Sequence, residues 1–237
     1  MRSNRTIASA VLAAGLLAAQ TPPKAVEITA EPFHHLEFEN RYVRVLRVEV
    51  PPKQATLLHR HGYDYVFVTL GASEVSNAVE GKPPVALKLA DGEARLVEGG
   101  FAHVAANLAP TPFRNLTVEI LPAGKRRAFA RRNLKPVWER GLEVLDRGTV
   151  HTLFVKDGLR ATEVELPAGG ELPLHSHSGP HLVVAITDLE VWLEAKGKPA
   201  TVVRKKAGEY DWVPAGVTHT VTNTGKSGIR FVSIEFR

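Results

Sequence analysis

The 237-residue sequence contains no cysteine. This excludes disulfides, thiolate metal ligands, a cysteine nucleophile and a lipid-attachment cysteine. A Gly-rich phosphate loop, a nucleophile elbow and a paired-carboxylate signature are also missing. Basic stretches interleaved with aromatics are absent, as are nucleic-acid motifs, so no nucleic-acid partner is expected. The only notable apolar run, residues 6–17, falls short of the roughly 20 residues that span a bilayer. What remains is ordinary globular composition, 44% hydrophobic and 23% charged, in a chain long enough for one large core or two small ones.

That apolar run follows Arg2 and Arg5 and ends in Ala18-Ala19. A basic start, a short apolar stretch and small residues predict a signal peptide over residues 1–19. Secretion or periplasmic residence follows, with no membrane association after its removal. Export without cysteine leaves stability to core packing. The formal charge of +5 falls to about +3 without Arg2 and Arg5. Residues 122–147 hold Lys125, Arg126, Arg127, Arg131, Arg132, Lys135, Arg140 and Arg147 against three acids. This basic segment reads as a solvated connector with one or two short helices.

Shifted by 116 residues, the chain overlays itself without a gap. His35, His59, His61 and His103 fall on His151, His175, His177 and His219. Gly92, Gly100 and Asn107 fall on Gly208, Gly216 and Asn223, and Arg114 and Glu119 on Arg230 and Glu235. Between residues 35 and 121, 23 of 87 positions are identical, too many for unrelated segments. One long repeat of this kind predicts two homologous domains, over residues 32–121 and 148–237. Both read as strands: residues 42–50 alternate apolar and polar, residues 66–70 and 182–186 are short apolar runs, and Gly/Pro turns recur closely. The fold class is therefore all-β, a sandwich or barrel in duplicate.

Histidine supplies the chemistry. His175, His177 and His181 stand in PLHSHSGPH and His219 in PAGVTHTVTN. Residues two apart on a strand share a face, so these imidazoles are candidates to bind one divalent metal. The second repeat resembles a cupin in both signature motifs. His175-x-His177-x-x-x-His181 fits the first, with histidine in the usual carboxylate's place. Gly208, Pro214, Gly216, His219 and Asn223 fit the second, G-x5-P-x-G-x2-H-x3-N, completely. The first repeat keeps His59, His61, Gly92, Gly100, His103 and Asn107, with Glu98 in the proline slot and Tyr65 at the position of His181. The chain thus resembles a bicupin.

The resemblance implies two tandem jelly-roll barrels, each with a metal position inside one end. One divalent ion (iron, manganese, nickel, copper or zinc) is expected on His175, His177, His181 and His219. A second possible site comprises His59, His61, His103 and Tyr65; the residues leave open whether it is functional or a relic. All-imidazole ligation leaves the ion's full charge, which favours an anionic or chelating substrate, and it removes the carboxylate that many cupins use as proton acceptor. The implied activity is metal-dependent, dioxygenase-like oxidation of a small chelating compound. The alternative is a non-catalytic cupin that binds a small molecule or metal. A monomer or homodimer is expected. With an ordinary imidazole pKa of about 6.5, metal binding should weaken in mild acid. His35 and His151 read as equivalent structural positions, Trp192 and Trp212 as packing, and Glu119 and Glu235 as paired surface charges.

Overall fold

The computed structural model describes residues 24–124, 141–156 and 158–237. The expected signal segment, residues 1–19, and residues 125–140 of the expected connector lie outside them. Residues 122–124 are helical, whereas Gly141–Leu145, at the other end of the expected helical connector, form a strand.

Each half is a pair of sheets. In the first, β1 (Val26–Glu27), β4 (His59–His61), β9 (Phe101–Asn107), β6 (Ser73–Val79) and β7 (Val85–Leu89) lie side by side. Against them stand β2 (His34–Glu39), β3 (Val43–Val50), β10 (Phe113–Ile120), β5 (Tyr65–Thr69) and β8 (Ala94–Val97). The second half repeats this order. One sheet has β14 (Glu171–Ser176), β19 (Thr218–Asn223), β16 (Leu189–Ala195) and β17 (Thr201–Lys205). The other has β11 (Gly141–Leu145), β12 (Gly148–Lys156), β13 (Leu159–Leu166), β20 (Ile229–Phe236), β15 (His181–Ala185) and β18 (Tyr210–Val213). These are two jelly-roll barrels. The register repeats as well: His35 pairs with Arg47 and His151 with Glu163, positions separated by the same 116 residues.

The apolar runs of β5 and β15 are buried on both faces for different reasons. Tyr65 and Phe67 point into the first barrel, and His181 and Val183 into the second. Their neighbours Val66, Val68, Leu182 and Val184 point outward into a third core between the barrels. There the outer faces of β3, β5 and β10 meet those of β13, β15 and β20. Burying both faces removes the alternation that a half-exposed strand shows. Trp212 belongs to this seam, stacked on Tyr42 with ring centroids 5.8 Å apart. Arg230 adds an ion pair to Asp91 across it at 3.0 Å. Trp192 instead lies at the surface, where its indole N–H donates to Glu194.

The duplicated asparagines tie strand ends together. Asn223 Nδ2 donates to the carbonyls of Leu166, Pro167 and Ser227 at 3.1, 2.9 and 2.8 Å, and its Oδ1 accepts from the Gly225 N–H. Asn107 makes the same four bonds to Val50, Pro51, Thr111 and Ala109. Each therefore pins the turn before the last strand to the end of an earlier one, in a place sealed from water. Gly179 marks another tight approach. A Cβ there would fall 1.7 Å from the Phe236 carbonyl, and backbone cannot yield that far. Gly179→Ala is expected to push the loop off β20, at a cost of about 3 kcal/mol or more. A denaturant midpoint equal to wild type would contradict this.

Candidate metal centre

Sheet pairing brings the two histidine motifs together. His175 lies directly opposite His219 on β14 and β19, and His59 opposite His103 on β4 and β9. The turn between β18 and β19 returns to the first motif: Gly216, at φ 80°, donates its N–H to the His177 carbonyl. That left-handed conformation suits glycine.

In the second barrel, His175, His177 and His219 bring one nitrogen each within 4.8 Å of the others. His181 comes from the facing sheet and stands outside this group. It stacks on His177, centroids 3.9 Å apart and planes 23° from parallel. Tyr65 repeats that stacking on His61 in the first barrel, at 4.0 Å and 18°. Its phenol is buried, and burial foremost, with Glu119 nearby, holds its pKa well above the ordinary value. The four first-barrel candidates are thus adjacent, and His61 Nε2 lies 3.0 Å from His103 Nε2.

Hydrogen bonds at the far ring nitrogens set the tautomers. His175 Nδ1–H donates to the Pro173 carbonyl at 2.7 Å, and His59 Nδ1–H to Leu57 at 2.9 Å. His103 Nδ1–H donates to Asn77 Oδ1 at 2.6 Å. The Nε2 lone pairs then face inward. His219 and His175 present Nε2 atoms 3.0 Å apart. Two nitrogens each about 2.0–2.1 Å from one ion sit at about that spacing. His59 Nε2, His61 Nδ1 and both nitrogens of His181 are buried without a hydrogen-bond partner. Buried polar atoms are seldom left so, and a bound cation would satisfy one acceptor nitrogen of a neutral ring, such as His59 Nε2. The donor sets fit a divalent transition metal.

Burial first, and neighbouring imidazoles second, push His219 down to about 4. His177, also near His181, falls to about 4, and buried His181 to about 4. In the first barrel His59 falls to about 4, His103 to about 3 and His61 further still. Burial thus favours the neutral form of His59, His61, His103, His177, His181 and His219 below the ordinary imidazole value.

Two acidic residues correct the surface reading. Glu119 is wholly buried and its carboxylate accepts from Arg44 at 3.0 Å. Glu235 is 7% exposed and lines the second barrel's cavity, its Oε1 3.9 Å from His177 Nδ1. Their strands alternate, and odd positions of β10 and β20 face inward. A carboxylate therefore enters the second cavity from β20. The cavity measures about 460 Å³; Val164, Val183, Val191 and Val221 form much of its wall, and Arg160 projects beside the imidazoles.

One further residue escaped the sequence reading. His34 is buried against His59, with centroids 4.6 Å apart, and groups with His59 and His61 within 4.8 Å. Only its neighbour His35, which is exposed, repeats at the 116-residue shift. The available signal was strand parity, since His34 pairs with Val48, an inward position of β3.

Two consecutive jelly rolls, each gathering histidines from an H-x-H strand and a returning strand, define a bicupin fold. Comparison with solved structures agrees. Oxalate decarboxylase from Bacillus subtilis superposes with a TM-score of 0.61 at 13% identity, over 83% of this chain and 69% of that one. A further structure of that enzyme, studied for its Mn(II) centres, gives the same values. Salicylate 1,2-dioxygenase from Pseudoaminobacter salicylatoxidans gives 0.60 and 13%, over 83% and 70%. The chain matches no protein-family model and no curated protein.

Proposed function

We propose that the C-terminal barrel is the working site of an exported, metal-dependent enzyme acting on a small chelating carboxylate. One observation carries this reading: the 460 Å³ cavity is where the His175, His177 and His219 nitrogens, the Arg160 side chain and the Glu235 carboxylate meet. His175, His177 and His219 would hold the ion, with His181 beside them. A divalent metal bound there supplies Lewis acidity, and in an oxygenase the redox change, at the substrate's donor oxygens. Arg160 offers a cation for the substrate's carboxylate. The Glu235 carboxylate, whose Oε1 accepts from the Gly179 N–H at 3.3 Å and whose Oε2 accepts from Arg237 Nε at 3.4 Å, can take or return a proton. The valine wall excludes water, which strengthens these charges.

Oxalate and salicylate are the compounds to try first, because the structural neighbours are named for them. Binding to Mn(II)- or Fe(II)-loaded protein, with oxygen uptake followed in parallel, tests the reading. Arg160→Ala is expected to weaken binding about 10–100-fold, the equivalent of one charge-assisted contact. His219→Ala should abolish both the ion and ligand binding in this barrel. Ligand binding undiminished in His219→Ala would overturn the reading. The apolar wall also suits a non-catalytic binding protein; a ligand held without turnover by the loaded protein would identify that alternative.

A further inference from the structure

The two barrels place their lead-in segments differently. In the first, β1 runs parallel to β4 along its outer edge, and the Val26 N–H donates to the Leu58 carbonyl at 3.0 Å. The 3₁₀ turn that follows, Ile28–Ala30, packs against β2 and β4, and Ile28 is 2% exposed. This segment closes the side of the barrel where the two sheets end. At the 116-residue shift its counterpart is residues 142–146. There β11 pairs with β12 instead. Val144, in the place of Ile28, is 74% exposed, and Leu174, in the place of Leu58, is 68% exposed. Among the described residues, no strand lies along the outer edge of β14 as β1 lies along β4.

The interior changes in the same direction. Thr56, Asn77 and Asn115 line the first cavity, and Leu172, Leu193 and Phe231 stand in their places in the second. Val150 likewise replaces buried His34. Leu174 and Glu143 are exposed yet line the second cavity, so they mark where it opens. Val150 pairs with Glu143 across β11 and β12, and Leu172 stands two residues before Leu174. An apolar wall thus joins the histidine cluster to the side left open between β11 and β14. At its inner end Arg160 lines the same cavity and donates to Thr152 Oγ1 at 3.2 Å. Pro173, which lacks an N–H, interrupts the uncovered edge of β14, and pairing with β19 is irregular between Leu172 and His175. Both features resist the addition of a further strand, so the opening suits a small molecule and not an extended peptide.

We infer that the C-terminal barrel takes a carboxylate that carries an apolar tail, its head at the histidines and Arg160, its tail passing Val150 and Leu172 to leave the barrel beside Leu174. This rests on the reading of that barrel as the working site and names the class of its substrate. Oxalate has no apolar part and leaves this wall uncovered. Each methylene laid on the wall leaves water, and burying about three or four implies a roughly 100-fold gain in affinity. The first barrel is plugged on that side by Ile28.

The test is equilibrium dialysis of acetate, octanoate and 1-octanol against the full chain, below the micelle concentration of octanoate. Mn(II)-loaded protein is expected to bind octanoate about 100-fold more tightly than acetate. Leu174→Asp, at a position already in water, and Leu172→Thr, which restores the residue of the first barrel, should each cut that preference about tenfold. A preference below about threefold in the wild type, or one that survives in both variants, would overturn the inference. So would a wild-type chain that binds neither octanoate nor octanol. Octanol carries the tail without the carboxylate and separates the two readings. Octanol and octanoate held by metal-free His219→Ala, and released by Leu174→Asp, would leave the apolar route standing while the metal-dependent reading fell. Acetate bound only by the loaded protein, with no gain for octanoate, would do the reverse.

Discussion

Acidification from pH 7 to 4 is expected to unfold the metal-free protein. His59, His177, His181 and His219 are each held near 4 in the folded chain, against about 6.5 when unfolded. As pH falls below 6.5 the unfolded chain takes up protons that the folded chain refuses. Stability is therefore complete above pH 6.5 and declines as pH approaches 4. A histidine shifted this far can account for about 3 kcal/mol. Total stability is commonly only about 5–15 kcal/mol, so a few such residues suffice to unfold the chain even if their effects overlap. Bound metal opposes this by mass action, since it binds only the folded form. Adding Zn²⁺ should shift the acid midpoint to lower pH. Circular dichroism across the window checks both statements, and a metal-free protein equally stable at pH 7 and pH 4.5 would refute the first.

Asn223→Ala should cost about 3–5 kcal/mol and lower the melting temperature by roughly 10 °C. The side chain is fully buried and makes four bonds to backbone groups. Alanine leaves the Leu166, Pro167 and Ser227 carbonyls short of a donor, and buried polar groups so abandoned cost about 1–3 kcal/mol each. Asn107→Ala should match it, because the same four bonds recur in the first barrel. Thermal melts of both variants would decide. A loss below about 1 kcal/mol in either would show that water replaces the amide.

The acid expectation also shows why a pKa cannot be taken from residue type alone. Spacing identifies imidazoles that can meet, but the burial around them is completed by strands of the facing sheet, such as β10 and β20, which lie far from the H-x-H strands in the chain. His34 illustrates the same limit. It lies 25 residues before His59, in a strand where both parities look plausible, and a bulge between Leu36 and Phe38 breaks the simple alternation. Glu119 and Glu235 read as surface charges because each sits near an arginine in sequence. Their strands, however, place every second residue inside a barrel.

The sequence by itself determined the duplication, the strand-rich class, the two motifs and the histidines that lie opposite one another across β4–β9 and β14–β19. All of these depend on local periodicity, or on a repeat that survives as identical residues. Only the tertiary structure decided that His181 stacks on His177, that Glu235 enters the cavity, that Val66 and Leu182 form a seam between barrels, and that His34 joins the first cluster. Those outcomes depend on which sheet faces which, and that is fixed by packing between segments whose order in the chain gives no measure of their distance in space.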